Sequence, residues 1–325
     1  MVISKLPSVT RNIRDADGNL HPTPFLRWAG GKRRLTQALI ETFPLEFDPF
    51  RHRFFEPFVG GGALAFALGN KDSDSFVPGK NLSISDMNPE LINTYKVVRD
   101  SVFDLIEALE ILEGKIDENN YYRIRADIPE DNIDRAARFI YLNKTCYNGL
   151  WRVNRDGLFN VPFDKNKTSN SSLFSQENLI ACSQRLSGSS IRHCGFESAV
   201  SRASRGDLVY FDPPYIPLTP TASFSSYSKE GFGMEDHEEL AEVIRDLTRR
   251  GVYVLFSNSY TPLTRKIFRE DLVLRRLFMR RSMSAKGDNR HDVYEILGMN
   301  YSHLQGSLMG QLQLVSRPKI KRRVL

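Results

Sequence analysis

Hydrophobic and polar positions along this chain follow two alternating rhythms. Short apolar runs, in RFFEPFV, LSISD, DLVYF and GVYVLF, each stop abruptly at glycine, an acid, proline or small polar residues. Runs of that length bounded by turn residues read as strands buried on both faces. Between and after them the apolar spacing becomes helical. ALAFAL follows three glycines, NPELINTYKVV places Leu91, Ile92 and Tyr95 on one side, and EDHEELAEVIRDLTRR carries a stripe of Leu240, Val243, Ile244 and Leu247. Asp236, with Glu239 three residues on, resembles a capping box at the start of that last helix. Strand, glycine turn, helix, strand and acid in succession predict the first half of a nucleotide-type βαβ unit in an α/β protein.

The middle of the chain breaks this rhythm. Helical patterns appear at SVFDLIEALEIL and RAARFIYLN, followed by TCYNGLWRVNRDGLFNVPFDKNKTSNSS, rich in turn-forming residues. GLWRVN and GLFNVPF, flanking Arg155-Asp156, predict a β-hairpin. The chain therefore divides into a loose extension (1–20), a main α/β domain (21–95 and 190–305), an inserted lobe (96–189) and a basic C-terminal tail (306–325). After about residue 270, LVLRRLFMRRSMSA and DVYEILGMNY predict an antiparallel edge. No internal repeat is visible.

Composition narrows the class. At 325 residues, 41% hydrophobic and 26% charged, the chain can bury a real core. No apolar run reaches the roughly 18–20 residues of a membrane span, and the N-terminus lacks the apolar core of a signal peptide. Cys146, Cys182 and Cys194 are scattered and odd in number, which suits reduced thiols in a cytoplasmic protein. No HxxxH or CxxC pairing suggests a metal. The net charge of +6 favours an anionic partner, with nucleic acid the usual one. RPKIKRR, Arg317 to Arg323, is the densest basic stretch and reads equally as a solvated tail or a phosphate contact.

Three motifs carry chemistry. FVGGGALA contains G-x-G-x-x-A at Gly60, Gly62 and Ala65, after a strand and before a helix. Its glycines let a ligand approach the backbone, although tight strand–helix packing alone would also use them. Asp86 closes the second strand, where a carboxylate can accept from ribose hydroxyls or cap the helix beginning near Asn88-Pro89. VYFDPPYIPL places Asp212 and Tyr215 at the end of a strand that Pro213 and Pro214 terminate. An exocyclic amine on a nucleobase is a poor nucleophile because its lone pair is conjugated into the ring. Two acceptors on its N–H bonds, the Asp212 carboxylate and the Pro213 carbonyl, would draw the nitrogen toward a tetrahedral shape. Tyr215 offers a face on which the base can stack.

FLRWAGGK, EPFVGGG, SDMNPELI, YNGLWRVNRDGLFNVPF, DPPY and ASFSSYSKEGF (residues 222–232) occur in the order found in one family. From Phe25 to about Leu297 the chain resembles the Dam-type (alpha-group) site-specific DNA adenine-N6 methyltransferases, the D12 class. The resemblance implies a Rossmann-like sheet binding S-adenosylmethionine, with an inserted, mainly helical target-recognition lobe whose hairpin reads double-stranded DNA. It implies Trp28, Lys32, Phe58, Gly60, Gly62, Asp86 and Asp212 for the cofactor, and Asp212, Pro213 and Tyr215 for catalysis. Asp212 would touch both the cofactor's methionine amino group and the target amine. Tyr147 and Asn148 match residues that wedge into the duplex and extrude adenine. Arg152 matches a guanine-reading arginine, and Leu150 and Pro162 match contacts to a thymine methyl, with Asn160 in the same hairpin. Together these suggest 5′-GATC-3′.

The chain also departs from the family pattern. Asp164-Lys165-Asn166-Lys167 replaces a common Gly-Arg-Tyr-Lys, and Arg27 stands where lysine is frequent beside the tryptophan. Asp164 would face phosphate unless Lys165 and Lys167 offset it. Four other readings compete. A cytosine-N4 methyltransferase usually has Ser for the Asp before the prolines. An adenine methyltransferase acting on ribosomal RNA usually has Asn there. An oxidoreductase would need a hydride-transfer acid, and a non-catalytic DNA-binding protein would not need an intact DPPY. No obligate protein partner is implied, and the reading leaves room for a cognate restriction endonuclease.

Overall fold

A computed structural model of the chain describes residues 18, 20–33, 35–69, 76–216, 232–279, 293–302 and 312–316. Nearly all of the N-terminal extension, residues 222–231 of the ASFSSYSKEGF block and the RPKIKRR run lie outside the described residues. Eight strands make one sheet: β1 (Phe54–Glu56), β2 (Leu82–Asp86), β3 (Ser190–His193), β4 (Leu208–Phe211), β5 (Tyr253–Ser259), β6 (Val273–Met279), β7 (Val293–Met299) and β8 (Leu312–Ser316). Their order is β3-β2-β1-β4-β5-β7-β6-β8. The first five are parallel to one another, and β7 turns the sheet antiparallel against β5. The chain lays β2 and β3 to one side of β1, and β4 and β5 to the other. Strand order thus reverses between β1 and β4, the switch point outside whose carboxyl ends open α/β sheets bind ligands.

Apolar alternation explains why the strands sit centrally. All four residues of β4 are buried: Leu208 and Tyr210 join one apolar cluster, Val209 and Phe211 the other. A strand covered on both faces reads as a continuous apolar run. Ten helices complete the described residues: α1 (Thr36–Ile40), α2 (Ala63–Ala67), α3 (Pro89–Asp100), α4 (Val102–Glu113), α5 (Glu118–Ala126), α6 (Asn132–Thr145), α7 (Gln176–Leu186), α8 (Phe196–Val200), α9 (Met234–Arg249) and α10 (Pro262–Phe268). None is long and apolar enough to cross a membrane. α3 begins where Asn88 accepts from the Glu90 and Leu91 amides, with Pro89 in its first turn, and it buries Leu91, Ile92 and Tyr95.

Several details differ from the sequence expectations. α9 starts two residues before Asp236, so that carboxylate accepts from the Gly233 amide at 2.6 Å and forms no box with Glu239. The expected hairpin is an irregular ribbon, held by bridges at Cys146↔Phe163 and Val153↔Phe159 and not by continuous strands. Asn148 and Gly149 adopt left-handed backbone (φ 56° and 64°), and Pro162 has no N–H, so neither arm can sustain a ladder. Asn154 closes the tip by accepting from the Asp156 and Leu158 amides. Residues 312–316, assigned to the tail from sequence, form the edge strand β8 against β6. A single apolar cluster runs from Phe54, Ile84 and Leu208 of the sheet to Leu105, Phe139 and Trp151.

Candidate active site and nucleic-acid interface

β4 delivers Asp212 to its carboxyl end, at the switch point, and neighbouring side chains hold one side of the carboxylate. Lys32 Nζ lies 2.9 Å from Oδ1 in an ion pair whose side chains are 6% and 18% exposed. Ser257 Oγ donates to the same oxygen at 2.7 Å. Because Ser257 spends its proton there, the Tyr210 hydroxyl, 2.9 Å away, donates to Ser257. Among the described residues no donor reaches Oδ2 or the Pro213 carbonyl. The polar end of β5 also clamps the following segment. Asn258 Oδ1 accepts from the Ile216 amide, and Ser259 Oγ donates to the Ile216 carbonyl. Lys32 further donates to the Gly30 carbonyl and lies 4.5 Å from the Tyr215 ring centroid.

Two further carboxyl groups approach this centre. Burial, reinforced by the charge of Asp212, pushes the Glu56 carboxyl up to about 8, against the Ala65 amide and Arg185. Glu56 Oε2 accepts that amide at 3.0 Å, serving the first turn of α2, whose N-cap Gly62 has no side chain. Glu295, on β7, is raised above the usual carboxylate range by burial, opposed by the charge of Lys32.

The glycine turn sits one strand away. Gly60 and Gly62 have φ of 46° and 68°, the left-handed region that glycine tolerates. A Cβ on Gly60 would lie 2.7 Å from Trp28 Cδ1, so the indole packs directly on this backbone. Asp86 Oδ2 accepts from the Gly60 amide at 3.1 Å and Oδ1 from the Asn88 amide at 3.0 Å. Asn88, not Asp86, caps α3. Burial pushes Asp86 up to about 6 despite these amides. Phe58 packs among Phe196, Phe211 and Phe232 at centroid distances of 5.7, 6.3 and 5.6 Å. Trp28, Phe58, Gly60, Gly62 and Asp86 therefore gather at one edge. Lys32 and Asp212, expected with them, pair with one another.

The turn and ribbon after α6 carry the other predicted residues. Tyr147, Asn148, Leu150, Arg152, Pro162 and Lys165 are exposed. Arg152 Nε donates to Asn160 Oδ1 at 2.8 Å, so Asn160 aims the guanidinium. The Asp164 carboxylate turns back to accept from the Asn166 amide and side chain, which occupies the acid that the sequence set beside Lys165 and Lys167. Arg27, Arg33, Lys144 and Lys167 converge. Burial and the charges of Arg27, Lys167 and Arg33 lower half-buried Lys144 to about 8. Lys167 is lowered by burial and by Arg27. Beneath them Asn143, fully buried, accepts from the Arg27 amide at 2.8 Å and donates to the Arg27 carbonyl at 2.6 Å.

Sequence reasoning missed Tyr210, Ser257, Glu295 and Asn143 as site residues. Only Ser257 carried a local signal, the polar stop of SNSY after a buried strand.

A family model described as D12 class N6 adenine-specific DNA methyltransferase matches residues 28–281. The chain is 40% identical to the type II methyltransferase M.MjaIII of Methanocaldococcus jannaschii, over 86% of this chain and 99% of that protein. It is 37% identical to the type II methyltransferase M1.LlaDCHI of Lactococcus lactis, over 86% and 96%. It is 33% identical to the DNA adenine methylase of Escherichia coli, over 85% and 94%.

Proposed function

The chain belongs to the D12 class of N6 adenine-specific DNA methyltransferases, and we propose that it methylates an adenine extruded from duplex DNA, within 5′-GATC-3′, using S-adenosylmethionine. The observation that carries the mechanism is the division of labour within Asp212. Oδ1 is held by Lys32 and Ser257, while Oδ2 and the Pro213 carbonyl accept nothing from the described residues. Two acceptors on the target amine's hydrogens localise its lone pair, and rigid acceptors need no reorganisation as charge develops. Tyr215 supplies the stacking face.

The edge residues fit a sulfonium nucleoside. Asp86 offers a carboxylate beside glycine backbone, and Phe58 and Trp28 offer aromatic faces that suit a cation. The cofactor supplies an activated methyl group when bound. Residues 96–189 with the ribbon form the recognition lobe in this reading. Tyr147 and Asn148 open the duplex, Arg152 reads guanine and is held by Asn160, and Leu150 and Pro162 meet the thymine methyl. Arg27, Lys165 and Lys167 meet phosphates. The resemblance in the ribbon supports GATC.

Expression in cells lacking adenine methylation, followed by genome-wide mapping of methylated bases, tests base, atom and site together. N6-methyladenine confined to GATC is expected. N4-methylcytosine, or no modified base, overturns the reading.

A further inference from the structure

Of the two further carboxyl groups near Asp212, Glu56 serves the first turn of α2, and Glu295 has no role in this mechanism. Glu295 lies opposite Ser259 of β5 and Leu277 of β6. It is therefore one strand from the Ser257–Ser259 segment that grips Asp212 and Ile216. Its Oε2 is buried without a hydrogen-bond partner, and so is the hydroxyl oxygen of Tyr215. Tyr215 immediately precedes Ile216, which Asn258 and Ser259 of the neighbouring strand hold, so both orphaned groups border the same short segment, and the charge of Asp212 raises the pKa of both. Two orphaned polar atoms side by side are costly unless they meet. Lys32 stands over the Tyr215 ring, pairs with Asp212 and favours the charged form of Glu295, so one ammonium serves two carboxylates.

We propose that Glu295 is a positioning residue that takes the Tyr215 hydroxyl as a hydrogen-bond donor and shares Lys32 with Asp212. It thereby fixes both the stacking ring and the ammonium for the incoming base. The hydroxyl donates, the carboxylate accepts, and no proton is transferred. The inference rests on the methyl-transfer reading of Asp212.

The test is a double-mutant cycle on the full chain with Tyr215→Phe, Glu295→Ala and the pair, plus Glu295→Gln. Single-turnover methylation of a GATC duplex is followed alongside DNA affinity and thermal unfolding. Tyr215→Phe and Glu295→Ala are each expected to slow methylation about tenfold, with DNA Kd within about twofold. The pair should be no slower than either alone. Glu295→Gln keeps an acceptor oxygen and should retain most of the rate. Losses that multiply in the pair, or Glu295→Ala turning over like wild type, overturn the proposal. Non-additive shifts in Tm report the Tyr215–Glu295 contact whether or not DNA is methylated. A wild-type chain inactive on adenine duplexes would thus sink the function reading alone, and additive Tm shifts would sink this one.

Discussion

Ser257 donates a hydrogen bond to Oδ1 of Asp212 at 2.7 Å, and Tyr210 in turn donates to Ser257. This relay runs from the buried face of β4 across β5 and back to the acid at the end of β4. It turns a flexible carboxylate into one with a tethered oxygen and a presented oxygen. Pro213 and Pro214 fix the backbone on the other side. The acid's aim is thus set by two strands and not by its own rotamer.

Asp212→Ala is expected to abolish methylation while DNA binding stays within a few-fold. Ser257→Ala should be milder, lowering single-turnover rate about tenfold, the worth of roughly one hydrogen bond (~1–1.5 kcal/mol). KM for DNA should hold. Rapid-quench rates paired with DNA titrations check both, and a matched loss of binding would contradict the assignment.

Arg152 and Asn160 separate charge from aim. Arg152→Ala should relax discrimination at the guanine by about 1–3 kcal/mol, whereas Lys167→Ala, at a phosphate contact, should flatten the salt dependence of binding by about one phosphate-equivalent of slope. Asn160→Ala leaves the guanidinium present but untethered, so specificity should fall while the salt slope stays. Competition assays on single-base variants of the site, at several salt concentrations, distinguish the two.

If the Arg27, Lys144 and Lys167 cluster meets phosphate, DNA binding should be proton-linked through Lys144. Its pKa sits near 8 because of burial and the like charges of Arg27, Lys167 and Arg33. A phosphate placed among these cations favours the charged ammonium and raises that pKa. Binding near pH 8 should therefore take up protons, and affinity should fall as pH rises through 8. Calorimetry in buffers of different ionisation enthalpy measures the uptake, and Lys144→Met should remove it.

Glu56 contributes pH-dependent stability of the opposite kind to a salt-bridged acid. Its folded pKa, about 8, lies above the ordinary 4.5, so the fold favours the protonated form. The stability linked to it is fully present below pH 4.5 and is lost as pH climbs toward 8. Across that window the loss amounts to a few kcal/mol, because each tenfold change in proton affinity is worth about 1.4 kcal/mol. Glu56→Gln can still accept from the Ala65 amide, so it should flatten unfolding free energy between pH 5 and 8. Denaturant melts of both proteins across that range provide the comparison.

What the sequence disclosed follows from how local each signal is. A buried strand ending in Asp212-Pro213-Pro214 is legible because proline cannot continue a ladder, whatever the rest of the fold does. Gly60 and Gly62 are legible for the same kind of reason, since only glycine adopts those angles cheaply, against Trp28 at the first and Tyr95 and Phe66 at the second. The contacts to Asp212 were not legible. Lys32 comes from 180 positions earlier in the chain, Ser257 from 45 positions later, and Glu295 from a strand inserted between β5 and β6. Asn160 was visible as a ribbon residue, but its grip on Arg152 depends on register across an irregular pair of arms. The start of α9 was missed because Gly233 leaves the cap to a residue inside the helix.

Asn143 has a consequence for how the two substrates communicate. Its amide grips both backbone polar groups of Arg27, while α6, which carries it, runs directly into the Tyr147–Gly149 turn. Arg27 is bonded in turn to Trp28, the indole seated on Gly60. One peptide therefore links the turn proposed to meet the duplex with the edge proposed to hold the nucleoside. Any coupling carried by this peptide would be mutual by thermodynamics: whatever factor the methyl donor added to duplex affinity, the duplex would return to the donor.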